Sequence, residues 1–217
     1  MDTLKIENWG LIDYPQAYQR QRKVADKVIA GAPQRLIFCQ HPAVITLGRM
    51  TKPDSLLYNR AEIEAQGVRI ETIDRGGDVT LHAPGQLVVY PIMDLNRTGR
   101  DLKVYLQKLE QVAVDLLKDF GILAISIPGQ RGVFVGQASL NSPAKLGKII
   151  SIGIGVRKWV TYHGLGINVT TDLSLFRLIR PCGLNVQMTS MQKLLTTVPD
   201  VEKVQAAFIK NFKRSYE

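Results

Sequence analysis

The sequence predicts an α+β domain built on a mixed or antiparallel sheet with flanking helices. Three observations carry this expectation. Short β-prone runs outnumber helical ones and often follow one another directly, which favours pairing between chain neighbours. One long helix stands out over Asp101–Phe120: Leu102, Tyr105, Leu106, Leu109, Val112, Ala113 and Leu116 recur at helical spacing, and Gly121 follows the last turn. Two long strands, Lys148–Val156 and Val160–Val169, are separated only by Arg157-Lys158-Trp159, the spacing of an antiparallel hairpin. A chain of 217 residues suffices for one substantial core, so a single domain over 1–217 is expected.

The remaining elements are read in chain order. A first strand is expected over Leu4–Asn8. Asp13 stands as a helix N-cap with Pro15 in the first turn, and the helix is expected to run to Gly31. Leu36–Gln40 and Val44–Leu47 read as short buried strands broken at His41-Pro42. Arg60–Gln66 reads as a short helix stopped by Gly67, and Val68–Ile73 as a strand. Gln86–Met93 is an apolar strand in which Pro91 suggests an edge or a bulge. Strands near Ile122–Ile125 and Gly132–Val135 follow the long helix. A polar loop through Asn141-Ser142-Pro143 comes next, and a last helix of roughly Asp200–Arg214 ends the series.

Composition excludes several classes. No stretch approaches the ~20 apolar residues that span a bilayer. The N-terminal residues lack a basic stretch followed by an apolar core, so no secretory signal is read and a cytoplasmic location is expected. The net charge of +9 draws in acidic partners, but no zinc-finger, RNA-binding or helix-turn-helix signature accompanies it. Charge alone leaves nucleic acid, anionic membrane and acidic carrier proteins open; in the absence of such a signature no nucleic acid or membrane partner is expected. Cys39, within Leu36-Ile37-Phe38-Cys39, reads as a buried apolar residue. Two cysteines and three histidines (His41, His82, His163), scattered along the chain, show no metal-ligand spacing, so no metal and no cofactor are expected.

Three segments hold residues suited to chemistry. In Arg75-Gly76-Gly77-Asp78-Val79-Thr80-Leu81-His82, paired glycines let backbone approach a ligand and the arginine offers planar donors; a plain turn between strands fits equally well. In Lys148-Ile149-Ile150-Ser151-Ile152-Gly153-Ile154-Gly155, alternation puts Lys148 on the more apolar face with Ile150 and Ile152. Desolvation there lowers a lysine's pKa towards neutrality, whereas a generic strand-end lysine snorkels to solvent. The opposite face, with Ser151, Gly153 and Gly155, is nearly bare and would leave a ligand room. If both serve one site, a bulge must re-aim one of them. In Arg180-Pro181-Cys182-Gly183, the thiol sits in a tight turn. It is reactive only beside a cation, and taken alone it reads more readily as an inert cysteine.

Together these segments resemble the lipoyl(octanoyl) transferase family of lipoate biosynthesis. The resemblance runs in family order through His41-Pro42-Ala43-Val44-Ile45-Thr46-Leu47-Gly48-Arg49, Arg75 to Gln86, Tyr90-Pro91-Ile92-Met93-Asp94-Leu95, Lys148 to Gly153, Trp159 to Leu165, Asn168-Val169, Thr171-Asp172-Leu173 and Pro181-Cys182-Gly183-Leu184. It implies the fold of the biotin and lipoate protein ligase catalytic domain. It also implies transfer of octanoyl from octanoyl-acyl carrier protein to a lysine of lipoyl domains, those of 2-oxoacid dehydrogenase acyltransferase subunits and of the glycine-cleavage H protein. Cys182 matches the nucleophile, with an acyl-thioester intermediate, and Lys148 the general acid/base. Arg75, Gly76, Gly77, Asp78, Val79, Thr80, Leu81 and His82 match a substrate-binding loop, as do Ser151, Ile152 and Gly153, and Gly164, Leu165 and Gly166. His82 and His163 rank below the pair, as residues that orient it or line the pocket. Ala83, Phe134, Gly166 and Leu175 stand where the family usually has Gly, Trp, Ala and Pro, and Gly136–Gly147 is longer than expected; none of these is expected to touch the Cys182–Lys148 pair. The rival enzyme on the same fold is an ATP-dependent ligase, and the rival of another class is a non-catalytic binder relying on charge.

Overall fold

A computed structural model describes residues 4–136, 146–180 and 187–216. The polar loop Asn141-Ser142-Pro143 and Cys182 lie outside the described residues.

The main sheet begins with a parallel pair, β1 (Lys5–Leu11) and β2 (Arg35–Gln40), joined by helix α1 (Tyr14–Ile29). It continues antiparallel through β6 (Gln86–Ile92), β10 (Val160–Asn168), β9 (Gly147–Arg157), β8 (Gln130–Val135) and β7 (Ile125–Ile127). A two-residue strand, β11 (Gln187–Met188), pairs parallel to the start of β9, with Met188 opposite Lys148. A second sheet holds β4 (Arg69–Thr72), β3 (Val44–Leu47) and β5 (Val79–His82), with β3 central. The architecture is the expected α+β, with a mixed sheet and flanking helices.

Burial follows the strand period. One face of the main sheet packs Leu36, Phe38, Leu87, Val89, Ile150, Ile152, Leu165 and Ile167 against α3 (Leu102–Asp119) and α5 (Val201–Tyr216). The other packs Ile37, Cys39, Val88, Tyr90 and Ile92 against α1. The small sheet keeps its own cluster, in which Ile45, Val79 and Leu81 meet Ile63 of the short helix α2 (Arg60–Glu64) and Phe176. A second short helix, α4 (Met191–Leu194), buries Met191 in the main core.

Helix ends show why some expected boundaries moved. Asp101 caps α3 by accepting from Val104 N at 2.9 Å. At the other end Gly121, at φ +76°, lets Gly121 N and Ile122 N donate back to Lys118 O and Leu117 O. That pair of hydrogen bonds closes the helix and consumes the amide of Ile122, so the next strand starts at Ile125 and not at Ile122. Asp13 stands at the N-cap of α1 without a side-chain cap bond; its carboxylate pairs with Arg69 at 3.5 Å. The hairpin between β9 and β10 turns on Lys158 and Trp159, both at positive φ, as a tight two-residue hairpin turn requires.

Pro91 lies in the middle of the main sheet, not at its edge. It pairs with Leu36 of β2. Its carbonyl accepts from Thr161 Oγ1 at 2.7 Å, so its missing N–H also faces β10. The β6–β10 ladder lapses there and resumes in the same register at the Asp94–Val160 bridge. His163, opposite Pro91 in that register, is free of the ladder: it takes φ +58°, and its N–H donates to Gln21 Oε1 of α1 at 2.8 Å. Beside it, a Cβ on Gly164 would stand 2.0 Å from Val89 O. Gly164→Ala is accordingly expected to cost about 3 kcal/mol or more through the backbone it displaces. Urea unfolding checks this, and an unchanged midpoint would refute the close approach.

Candidate active site

A cavity of about 640 Å³ lies between the main sheet, the small sheet and α1. It falls within the size range of small-molecule sites. Arg75, Gly76, Gly77, Asp78, Val79, Thr80, His82, Lys148, Ser151, Ile152, Gly153, Gly164, Leu165 and Gly166 all line it. Leu81 does not: β5 alternation points Thr80 and His82 to the cavity and Leu81 into the small core.

Lys148 reaches the cavity through a bulge. Along β8 and β9, Val133 pairs with Ile150 but Phe134 pairs with Lys148, leaving Ile149 as an extra residue. Ile149 and Ile150 both face the core, so Lys148 falls on the same side as Ser151 and Gly153. The expectation that Lys148 shares a face with Ile150 is corrected by this bulge. The side chain is 6% exposed and does not snorkel to solvent. Its Nζ stands 5.6 Å from the centre of the Phe134 ring. Phe134 therefore touches the lysine, against the expectation that no departure from the family pattern does so. Gly132 makes room for the stem, since a Cβ there would come 2.7 Å from Lys148 Cε.

The β9 face that carries Ser151 and Gly153 lines the cavity, as expected, but protein packs closely on several glycines of β9 and β10. A Cβ on Gly153 would meet Gly76 O at 2.8 Å, one on Gly155 the Tyr162 ring at 2.5 Å, and one on Gly166 the Gln86 amide at 2.7 Å. The glycines serve close packing of the Arg75-Gly76-Gly77 loop on β9, where Gly76 N donates to Ile154 O at 2.8 Å. Arg75 is 6% exposed. Its guanidinium donates to Thr46 O at 2.8 Å, to Thr46 Oγ1 and to Gly76 O. Asp78 fastens the loop: it accepts from Ser55 Oγ at 2.6 Å and from Val79 N at 2.7 Å.

The three histidines, distant in sequence, gather around Tyr14, the first residue of α1. Tyr14 stacks on His82 and meets His41 edge-on, and its hydroxyl lies 3.3 Å from His163 Nδ1. His41 Nδ1 donates to Ile12 O at 2.6 Å, so its Nε2 is the acceptor for Tyr90 OH at 2.6 Å. His163 Nε2 stands 3.1 Å from Asp74, whose carboxylate also accepts from Tyr18, Arg22 and Tyr162. That contact with His163, seconded by the tyrosine hydroxyls, holds the Asp74 carboxyl well below its usual range. Burial pushes the His41 imidazole down to about 4 and the His82 imidazole to about 3, and it also lowers His163. Burial likewise raises the Tyr14 phenol. All three imidazoles are thus neutral at pH 7. Cys39 is buried, as expected, and burial pushes its thiol up.

Reading along the sequence missed Tyr14, Tyr90 and Asp74 as wall and support of this cavity. Only Tyr90 had a sequence signal: by alternation it shares a strand face with Val88, which also lines the cavity. Among the described residues, no group of three His, Cys, Asp or Glu side chains is placed to hold a metal. No helix among them is long and apolar enough to cross a membrane.

The chain carries a lipoyl protein ligase A/B catalytic domain, the model of that family matching residues 13–213. A solved structure of the bipartite lipoate protein ligase and its E2 lipoyl domain from Thermoplasma acidophilum superposes with TM-score 0.71 at 15% identity. The match covers 100% of this chain and 84% of that chain, and it speaks for the fold alone. Sequence relatives narrow the class. The octanoyltransferase of Solibacter usitatus is 41% identical over 98% of this chain and 92% of its own length. That of Syntrophotalea carbinolica is 38% identical over 96% and 92%. The chain belongs to the octanoyltransferase family and is an enzyme of the acyltransferase type.

Proposed function

We propose that this protein moves an octanoyl group from octanoyl-acyl carrier protein to a lysine amine of lipoyl domains, through a thioester on Cys182, with Lys148 as acid and base. The observation that carries the reading is a buried lysine turned by a bulge into the cavity lined by the Arg75–His82 loop. The chain that follows the Cys182 segment returns as β11 and pairs directly with Lys148. On the other side of that segment, Arg180 N donates to Ser55 O at 2.8 Å, beside the loop that Ser55 and Asp78 fasten.

The chemistry runs in two halves. The Lys148 amine takes the Cys182 proton, and the thiolate attacks the thioester carbon of the carrier-bound acyl group. Backbone N–H groups beside the cavity hold the developing oxyanion. The C–S bond to the carrier breaks, and the carrier thiolate leaves with the proton held by Lys148. In the second half the lysine amine of a lipoyl domain attacks the acyl-Cys182 carbon. Lys148 takes the amine's proton and returns it to the Cys182 sulfur as that C–S bond breaks. The acyl group arrives activated, so no nucleotide is consumed. The net charge of +9 suits acidic carrier and lipoyl domains, those of 2-oxoacid dehydrogenase acyltransferase subunits and the glycine-cleavage H protein.

Intact mass spectrometry after mixing with octanoyl-carrier protein tests the reading. An octanoyl adduct is expected on the wild type, mapping to the Cys182 peptide, and none on Cys182→Ala. An adduct retained by that variant removes the nucleophile assignment, and transfer that runs only with free acid and ATP favours a ligase.

A further inference from the structure

His82 is tied to the backbone of Lys148 by one buried chain of hydrogen bonds. His82 Nδ1 lies 2.6 Å from Gln86 Oε1; Gln86 Nε2 lies 2.9 Å from Asn168 Oδ1; Asn168 Nδ2 lies 3.0 Å from Thr189 O; and Thr189 N donates to Lys148 O at 2.9 Å. The direction of every bond follows from the two ends. Thr189 O and Leu81 O are carbonyls and only accept. Asn168 must therefore turn its NH₂ to Thr189, and Gln86 must turn its NH₂ to both Leu81 O, at 3.2 Å, and Asn168 Oδ1. Gln86 is left with its oxygen facing His82, so the proton of the neutral imidazole sits on Nδ1. Gly166 is part of this construction, because a side chain there would strike the Gln86 amide.

The other nitrogen, Nε2, is then a bare acceptor. The imidazole lines the cavity, and among the described residues none hydrogen-bonds to Nε2. An acceptor has nothing to hold on the carbonyl of a thioester, which brings no N–H or O–H to the reacting carbon. An attacking amine brings two hydrogens, one to be removed and one to be held. Resting on the acyl-thioester reading above, we propose that His82 Nε2 accepts a hydrogen bond from the incoming amine and aims its lone pair at the acyl carbon. Gln86 and Asn168 are positioning residues that keep the tautomer. Lys148 takes the other proton; His82 takes none, in keeping with an imidazole too weakly basic to compete for it.

Two measurements on the full chain test this. Long-range ¹⁵N NMR at pH 7 is expected to show His82 with a protonated Nδ1 and an unprotonated Nε2, the resonances being assigned by their loss in His82→Asn. In Gln86→Leu, which removes the acceptor facing Nδ1, the two tautomers are expected to mix. Rapid-quench kinetics then follow acylation and aminolysis separately. His82→Asn keeps an N–H toward Gln86 but removes the cavity acceptor. It is expected to slow aminolysis about tenfold to a hundredfold more than it slows acylation. His82→Gln, which offers an amide oxygen further out, is expected to recover part of that loss. A protonated Nε2 in the wild type, or equal slowing of both half-reactions, overturns the proposal. Absence of any acyl-enzyme in the wild type would fell the thioester reading itself and the amine's role with it, leaving the tautomer result standing.

Discussion

Replacing Lys148 by alanine is expected to lower acyl transfer at pH 7 by about two to four orders of magnitude, the range of general acid–base catalysis. The side chain is buried at the wall of a cavity that already exists, so its removal enlarges that space and leaves the β9 backbone pairing in place. Thermal unfolding of the variant should therefore stay cooperative. Lys148→Arg is the sharper probe. A guanidinium keeps the positive charge but does not release its proton, so an arginine that merely served binding would work and one asked to shuttle protons would fail. Activity in Lys148→Arg close to the wild type, or an undiminished rate in Lys148→Ala, would leave the residue with a structural or electrostatic role only.

A second large effect is expected in acid. His41 and His82 are neutral in the fold, with pKa values near 4 and 3 in place of the ordinary 6.5. Between those values and 6.5 the unfolded chain binds protons that the native chain refuses. Their contribution is thus complete above pH 6.5 and is lost as pH falls through the folded values. For His41 alone the loss amounts to roughly 3 kcal/mol, at about 1.4 kcal/mol per pH unit. His163 acts in the same direction, and Asp74 follows with the same sign below its ordinary 3.8. Urea unfolding at pH 7 and pH 4.5 should show a steep fall in the midpoint. His41→Asn, whatever its stability at pH 7, should show a shallower one. Equal midpoints at both pH values would mean that these imidazoles are not buried neutral.

Most elements were legible in the residues because each rests on local physics. The α3 stripe from Leu102 to Leu116 needs only helical spacing, and the β9–β10 hairpin only two β-prone runs and a short turn. The run of segments in family order, from His41-Pro42 through Arg75-Gly76-Gly77 and Lys148 to Pro181-Cys182-Gly183-Leu184, was enough to suggest a family. What the residues could not disclose depends on contacts between distant segments. Strict alternation assigned Lys148 to the wrong face; the need for a bulge could be stated, but its place at Ile149 appears only when β8 sets the pairing. Pro91 suggested an edge or a bulge; it sits at the sheet centre, where the neighbouring strand parts from it at His163 and the ladder lapses. The glycines of β9 suggested room beside the backbone; Gly153 does line the cavity, but the Arg75 loop and Tyr162 press closely on Gly153 and Gly155. The three histidines looked unrelated at positions 41, 82 and 163, and only packing around Tyr14 makes them neighbours. Sequence periodicity thus determined which elements form and which chemistry is carried. The tertiary structure decided where each polar group points and which proton it holds, since both are set by partners far away along the chain.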